Sequence, residues 1–304
     1  MADAVNSPNP QAVRDFLRQS HPALLVQGLL LYGLGAAIAR YLGVSVRPAP
    51  YLAGQVIVLA LQVGAHHLEG HFAAPRLTFE PEASNSKLGA KTFGRGSLYA
   101  AIGAYGCAAI VTSLLIATGE LELTGSVIVI LGALAGVAYS VPPVHLKHSG
   151  YGELLAAVSV SILIPTFAFL LQADQPHRLV FITAAPLTSF TFAALLIEQL
   201  TTYGRDAAHD RRGLMLRLGW ETGMRAHDTA VLIGFAIQVT LLFLGFPRRV
   251  ALGGLLGAPL GAALVWYVGK IREGAAPRWT ALRLGSRGLV GLMTYLSLSG
   301  YLLS

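Results

Sequence analysis

Hydrophobic residues run along this chain in nine long blocks parted by polar stretches, with none of the strict alternation of a strand. The blocks cover about 22–43, 51–72, 97–118, 124–141, 152–172, 178–200, 229–246, 250–269 and 288–303. Most approach the ~20 residues that carry an α-helix across the ~30 Å hydrocarbon layer of a bilayer. Several are rich in small residues, among them Gly132, Gly136, Gly253, Gly254, Gly257 and Gly261, which let membrane helices approach closely. The pattern predicts an all-α polytopic membrane protein with nine transmembrane helices. No linker or composition break divides it, so 22–304 reads as a single helical domain. Residues 1–21 form a polar lead-in whose QAVRDFLRQ stretch is amphipathic and reads as cytoplasmic and interfacial.

Composition agrees with that reading. Hydrophobic residues make up 54% of the chain and charged residues 12%, against about 25% charged in soluble domains. The net charge of +7 has a source other than nucleic-acid binding, namely the basic loops. With the N-terminus inside, only Arg40, Arg47, Arg178, Arg248 and Arg249 of the 22 Lys and Arg residues fall outside. This obeys the positive-inside rule and puts the three long polar loops, after blocks two, six and eight, on the cytoplasmic side. The single cysteine, Cys107, lies in an apolar run, can form no internal disulfide and reads as a small core residue.

Candidate chemistry gathers at the ends of three blocks. After the sixth block come Glu198, Arg205, Asp206, Asp210, Arg211, Arg212 and Arg217. Asp206 and Asp210 are four apart and share a helix face, so the pair can hold Mg²⁺, which in turn can hold a diphosphate. The arginines beside them suit the remaining phosphate charge; the alternative is a solvated loop that only sets topology. The second block ends in His66, His67, Glu69 and His71. His67 and His71 have a metal-ligand spacing but lack a second pair. Glu69, with Glu80 and Glu82, is a candidate divalent-cation site; the alternative is that the two loop glutamates are solvated. Lys87, Lys91 and Arg95 face either an anionic ligand or anionic lipid. After the fourth block, Pro142-Pro143 stops the helix, and Lys147 and Glu153 follow. They form either a packed turn in which the two pair with each other or the floor of a phosphate pocket.

The Tyr139–Glu153 stretch, YSVPPVHLKHSGYGE, resembles the YxxPPxxLKxxGxGE stretch of the UbiA superfamily of intramembrane prenyltransferases, in the branch that prenylates 1,4-dihydroxy-2-naphthoate for menaquinone. Leu61-Gln62-Val63-Gly64 resembles the approach to that family's first Asp-rich motif. Arg211-Arg212 and Leu216-Arg217-Leu218-Gly219 resemble the close of the second. The resemblance implies helices around a central cavity open to the cytoplasm and transfer of a polyprenyl group from a prenyl diphosphate to an aromatic acceptor in a bacterial or archaeal plasma membrane. It implies catalytic roles for Asp206, Lys147 and Tyr139, and diphosphate binding by Lys147, Arg205, Arg211, Arg212 and Lys91. A Mg²⁺ ion, weakened or lost, would sit on Asp206, Asp210, Glu69 and Glu198. Both Asp-rich motifs depart from the family. His66 and Gly70 stand at the leading positions of the first, and in the gapless register Thr202 and Asp206 stand on the two Asp positions of the second. Two other readings stay open: a degenerate member that binds an isoprenoid or quinone without turnover, and a small-solute transporter using Glu153 and Glu198.

Overall fold

The computed structural model describes residues 10–73, 84–208 and 213–304, with side chains described outside 10–13, 15, 73, 84–94 and 205. The lead-in forms α1 (Pro10–Gln19), and the first five long segments form α2 (Pro22–Tyr41), α3 (Pro48–Ala73), α4 (Ser84–Ala117), α5 (Leu123–Ser140) and the broken pair α6 (Gly152–Val158) and α7 (Ile164–Leu170). Next come α8 (Arg178–Ala208), the short α9 (Leu214–Leu218), α10 (Trp220–Phe243), the pair α11 (Arg248–Leu255) and α12 (Ala258–Arg272), and α13 (Trp279–Leu302). A π-helical turn, Ser159–Leu163, joins α6 to α7.

Each of the nine hydrophobic blocks is helical, and the helices run past the blocks at the polar side. The apolar run marks only the part of a helix that meets hydrocarbon, so α4, α8, α10 and α13 continue into charged sequence. Eight helical stretches among the described residues are long and apolar enough to cross a membrane. The ninth block is the C-terminal half of α13, which falls short because its other half carries Arg283 and Arg287. It nonetheless packs along α2, α8 and α11 as a member of the bundle.

Two apolar cores hold the bundle together. One gathers residues of α2, α8, α10, α12 and α13 around Leu34, Ile38, Leu187, Phe190 and Met293. The other joins α2, α3, α4 and α7 around Tyr32, Ile57, Phe167 and Leu171. The outer faces carry Tyr99, Ile110, Leu114, Leu134 and Phe243 exposed. Such a belt is costly in water and natural in lipid. Cys107 lies on that exposed side, so it is not the core residue expected from its apolar neighbours; the run is apolar because it meets lipid.

Charges inside spans are pinned. On α10, Asp228 meets His227 Nδ1 at 3.0 Å and Arg272 of α12 at 2.9 Å. Close helix approach depends on glycine: a Cβ at Gly35 of α2 would stand 2.1 Å from the carbonyl oxygen of Pro165 in α7. We expect Gly35→Ala to destabilise the protein by about 1–3 kcal/mol, the usual range for overpacking. The lipid-facing Gly103→Ala, with nothing within 4 Å of its Cβ, should be neutral. Thermal melting of both variants in detergent checks this; equal melting temperatures would contradict the α2–α7 packing.

Candidate functional site

A cavity of about 370 Å³ opens between α2, α3, α5, α6, α7, α8 and α13. Its body is apolar, built from residues such as Val58, Leu61, Ile128, Val129, Leu163 and Phe167. Its charged residues, Glu69, Lys147, Glu198 and Arg287, come from the end of α3, the turn after α5, the second half of α8 and the first half of α13. Helices of alternating direction bring these four points to one end of the bundle.

The four charges form two ion pairs across element boundaries. Lys147 Nζ donates to Glu69 Oε1. Arg287 Nε donates to Glu198 Oε1 at 2.6 Å. His21, just ahead of α2, lies beside them with its ring 5.0 Å from that of His66. Burial holds the His21 imidazole below its ordinary range, against an opposing pull from Glu69. Tyr139, on the last turn of α5, also lines the cavity.

The Lys147 turn is set by its glycines. Gly150 has φ 81, and a Cβ there would also stand 2.7 Å from Arg217 Cδ. At Gly152 a Cβ would lie 2.7 Å from Lys147 Cα and 2.8 Å from Leu146 O, so only glycine lets α6 begin against this turn. The Pro-Pro stretch and the Arg217 stretch therefore pack on one another. Gln199 reinforces the junction: its Nε2 donates to buried Glu153, and its Oε1 accepts from Met215 N at 2.8 Å. Glu153 thus pairs with Gln199 rather than with Lys147, whose partner is Glu69.

Of the residues singled out from sequence, the cavity lining brings together Glu69, Lys147, Tyr139 and Glu198. Asp206 lies elsewhere on α8, two turns past Glu198, where it accepts a hydrogen bond from Thr202 and is not among the lining residues. Asp210, Arg211 and Arg212 lie outside the described residues, as do the side chains of Lys91 and Arg205. His67 has a packing role: its ring stacks on Phe16, and its nitrogens face Ser20 Oγ at 3.1 Å and Ser97 Oγ at 3.4 Å. No motif in the sequence points to Arg287, which directly precedes the ninth apolar block. An arginine abutting an apolar block is the signal that would have found it, because such a charge faces a cavity or a partner.

The described residues fit a divalent ion poorly. Among the described residues no three His, Cys, Asp or Glu converge to hold one. Glu69 and Glu198 each already hold a cation of the chain. At Gly70, a leading position of the first motif, the space of a Cβ is taken by Gln19 Nε2, 1.4 Å away. A side chain at position 70 would have to displace the end of the Gln19 side chain.

Comparison with known proteins agrees with this architecture. No family model matches the chain. It is 24% identical over 182 residues to the 1,4-dihydroxy-2-naphthoate octaprenyltransferase of Bacillus subtilis (strain 168), a match covering 60% of this chain and about half, 49%, of that relative. A digeranylgeranylglyceryl phosphate synthase structure superposes with a TM-score of 0.62 over 97% of this chain and 100% of that one, at 10% identity. A UbiA homolog from Archaeoglobus fulgidus bound to GPP and Mg²⁺ gives 0.61 over 93% and 99%, at 11% identity. The apo UbiA homolog from Aeropyrum pernix K1 gives 0.60 over 92% and 97%, at 13% identity.

The packing against Gly152 carries a prediction. With Cys107 replaced by Ser, cysteines placed at 69 and 147 should be joined by a short bifunctional thiol reagent. Adding Gly152→Ala should cut that cross-linking severalfold, read by mass spectrometry. Unchanged cross-linking would mean that the glycine does not position Lys147. Taken together, the helical order, the cavity and the superpositions show that this chain has the fold of the UbiA homologs, as its Tyr139–Glu153 stretch implies.

Proposed function

We propose that this protein transfers a prenyl group from a prenyl diphosphate to an aromatic, hydroxyl-bearing acceptor within the membrane. The observation that carries the reading is the shape of the charge distribution: an apolar cavity with the charged groups of its lining gathered at one end. An isoprenoid tail suits the body and its anionic head suits the mouth. In the reaction, the C1–O bond of the prenyl diphosphate breaks and its electron pair leaves with the diphosphate. A ring carbon of the acceptor supplies the pair that forms the new C–C bond at C1. That carbon then loses its proton to the departing diphosphate. Lys147 and Arg287 stabilise the leaving charge, and the apolar wall keeps water from the allylic cation. The ring of Tyr139 borders the cavity where positive charge develops and stabilises it by cation–π attraction.

Support for an aromatic acceptor comes from the named activity of the Bacillus subtilis relative. We place the N-terminus and the mouth on the cytoplasmic side, supported by the basic loops at that end of the bundle. Glu69 and Glu198 are paired with Lys147 and Arg287, which puts the chain's own cations at the mouth.

Product analysis tests this. Purified protein is given geranyl and longer prenyl diphosphates with 1,4-dihydroxy-2-naphthoate or with a glyceryl phosphate ester. The expected outcome is a prenylated naphthoate. Tyr139→Phe should retain most of the turnover and Tyr139→Ala should lose about 10- to 100-fold, the scale of a desolvated cation–π contact of ~2 kcal/mol. A prenylated glyceryl phosphate with no naphthoate product would replace the aromatic acceptor. Diphosphate-free isoprenoid binding without any product would favour a non-catalytic binder.

A further inference from the structure

We propose that Lys147 and Arg287 bind the ligand's diphosphate directly, as a clamp made of side-chain cations in place of a carboxylate-held metal. The inference rests on the prenyl diphosphate reading and deepens it. Carboxylates facing a diphosphate repel it unless a divalent cation stands between them. Here each of the two carboxylates that line the mouth among the described residues has a monovalent cation of the chain in that position. The pairing leaves donors for a ligand. Arg287 uses Nε on Glu198, so its two Nη groups keep the forked N–H arrangement that matches phosphate oxygens. The Lys147 ammonium has three donors, and Glu69 takes one. Both side chains keep access to the cavity: Lys147 is 33% exposed and Arg287 36%. Each is anchored at a fixed position by its glutamate, on a different element, so the two cations flank the same opening.

Glu69 and Glu198 are then positioning residues, which separates this arrangement from a metal site by the sign of one effect. In a metal site, removing the Glu198 charge removes a ligand and weakens diphosphate binding. In the clamp it releases Arg287 from a competing carboxylate while Gln keeps a hydrogen-bond acceptor of the same size.

The test is binding of geranyl diphosphate to the full-length protein in detergent by calorimetry, with excess Mg²⁺ or with EDTA. The clamp predicts affinities within about threefold of each other in the two conditions. It predicts that Arg287→Gln loses roughly 10- to 100-fold in both, the range for a hydrogen bond to a charged group. It also predicts that Glu198→Gln binds at least as tightly as the unchanged protein. If Arg287→Gln does not fold, Lys147→Gln gives the same readout from a loop residue. Binding at least tenfold tighter with Mg²⁺, or lost in Glu198→Gln, overturns the clamp and leaves the prenyl diphosphate reading standing. No binding in either condition overturns both.

Discussion

The cost of an unpaired charge at the edge of hydrocarbon governs this molecule. An ionised carboxylate in such a place needs a cation, a metal or water. Glu69, Glu198 and Asp228 each find a cation on a different element from their own. Those pairings do more than neutralise. Glu69 ties α3 to the turn after α5, and Glu198 ties α8 to α13, so the same contacts that make the mouth tolerable also fix its width. The apolar cavity behind it needs no polar scaffold of its own, because glycines such as Gly35 and Gly152 let the surrounding elements close on one another.

The architecture was legible in the sequence because its cause is simple. A bilayer demands long apolar helical stretches, and each of the nine blocks is helical, the fifth and eighth as broken pairs. What the blocks could not give was where helices end. The helix of α4 begins well before its apolar run, and α13 begins well before its own. Helix geometry continues wherever backbone bonding is satisfied, whereas hydropathy stops at the hydrocarbon boundary. The same gap hid Arg287, which reads as a loop charge next to its block and stands inside a helix facing the cavity.

The site was legible in its membership more than in its pairing. Glu69, Lys147, Tyr139 and Glu198 are recognisable from sequence because charged or aromatic residues at the mouths of spans are rarely idle. Their partners depend on how distant helices are juxtaposed, and no local spacing encodes that. Lys147 and Glu153 are six residues apart, yet the first meets α3 and the second meets Gln199 of α8. His67 shows the converse: a metal-like i, i+4 spacing with His71 coexists with a packed ring that Ser20 and Ser97 satisfy. Helical spacing alone does not distinguish a ligand from a core histidine.

The result is an apolar cavity whose described charged end is built from internal salt bridges. The most direct measurement is an experimental structure of the protein with geranyl diphosphate bound in the presence of Mg²⁺. The account predicts diphosphate oxygens within hydrogen-bond distance of Lys147 Nζ and the Arg287 Nη groups, with the prenyl tail in the cavity lined by Val58, Ile128 and Phe167. A metal ion bridging the diphosphate to Glu69 or Glu198, or a diphosphate seated at Asp206 away from both cations, would contradict it.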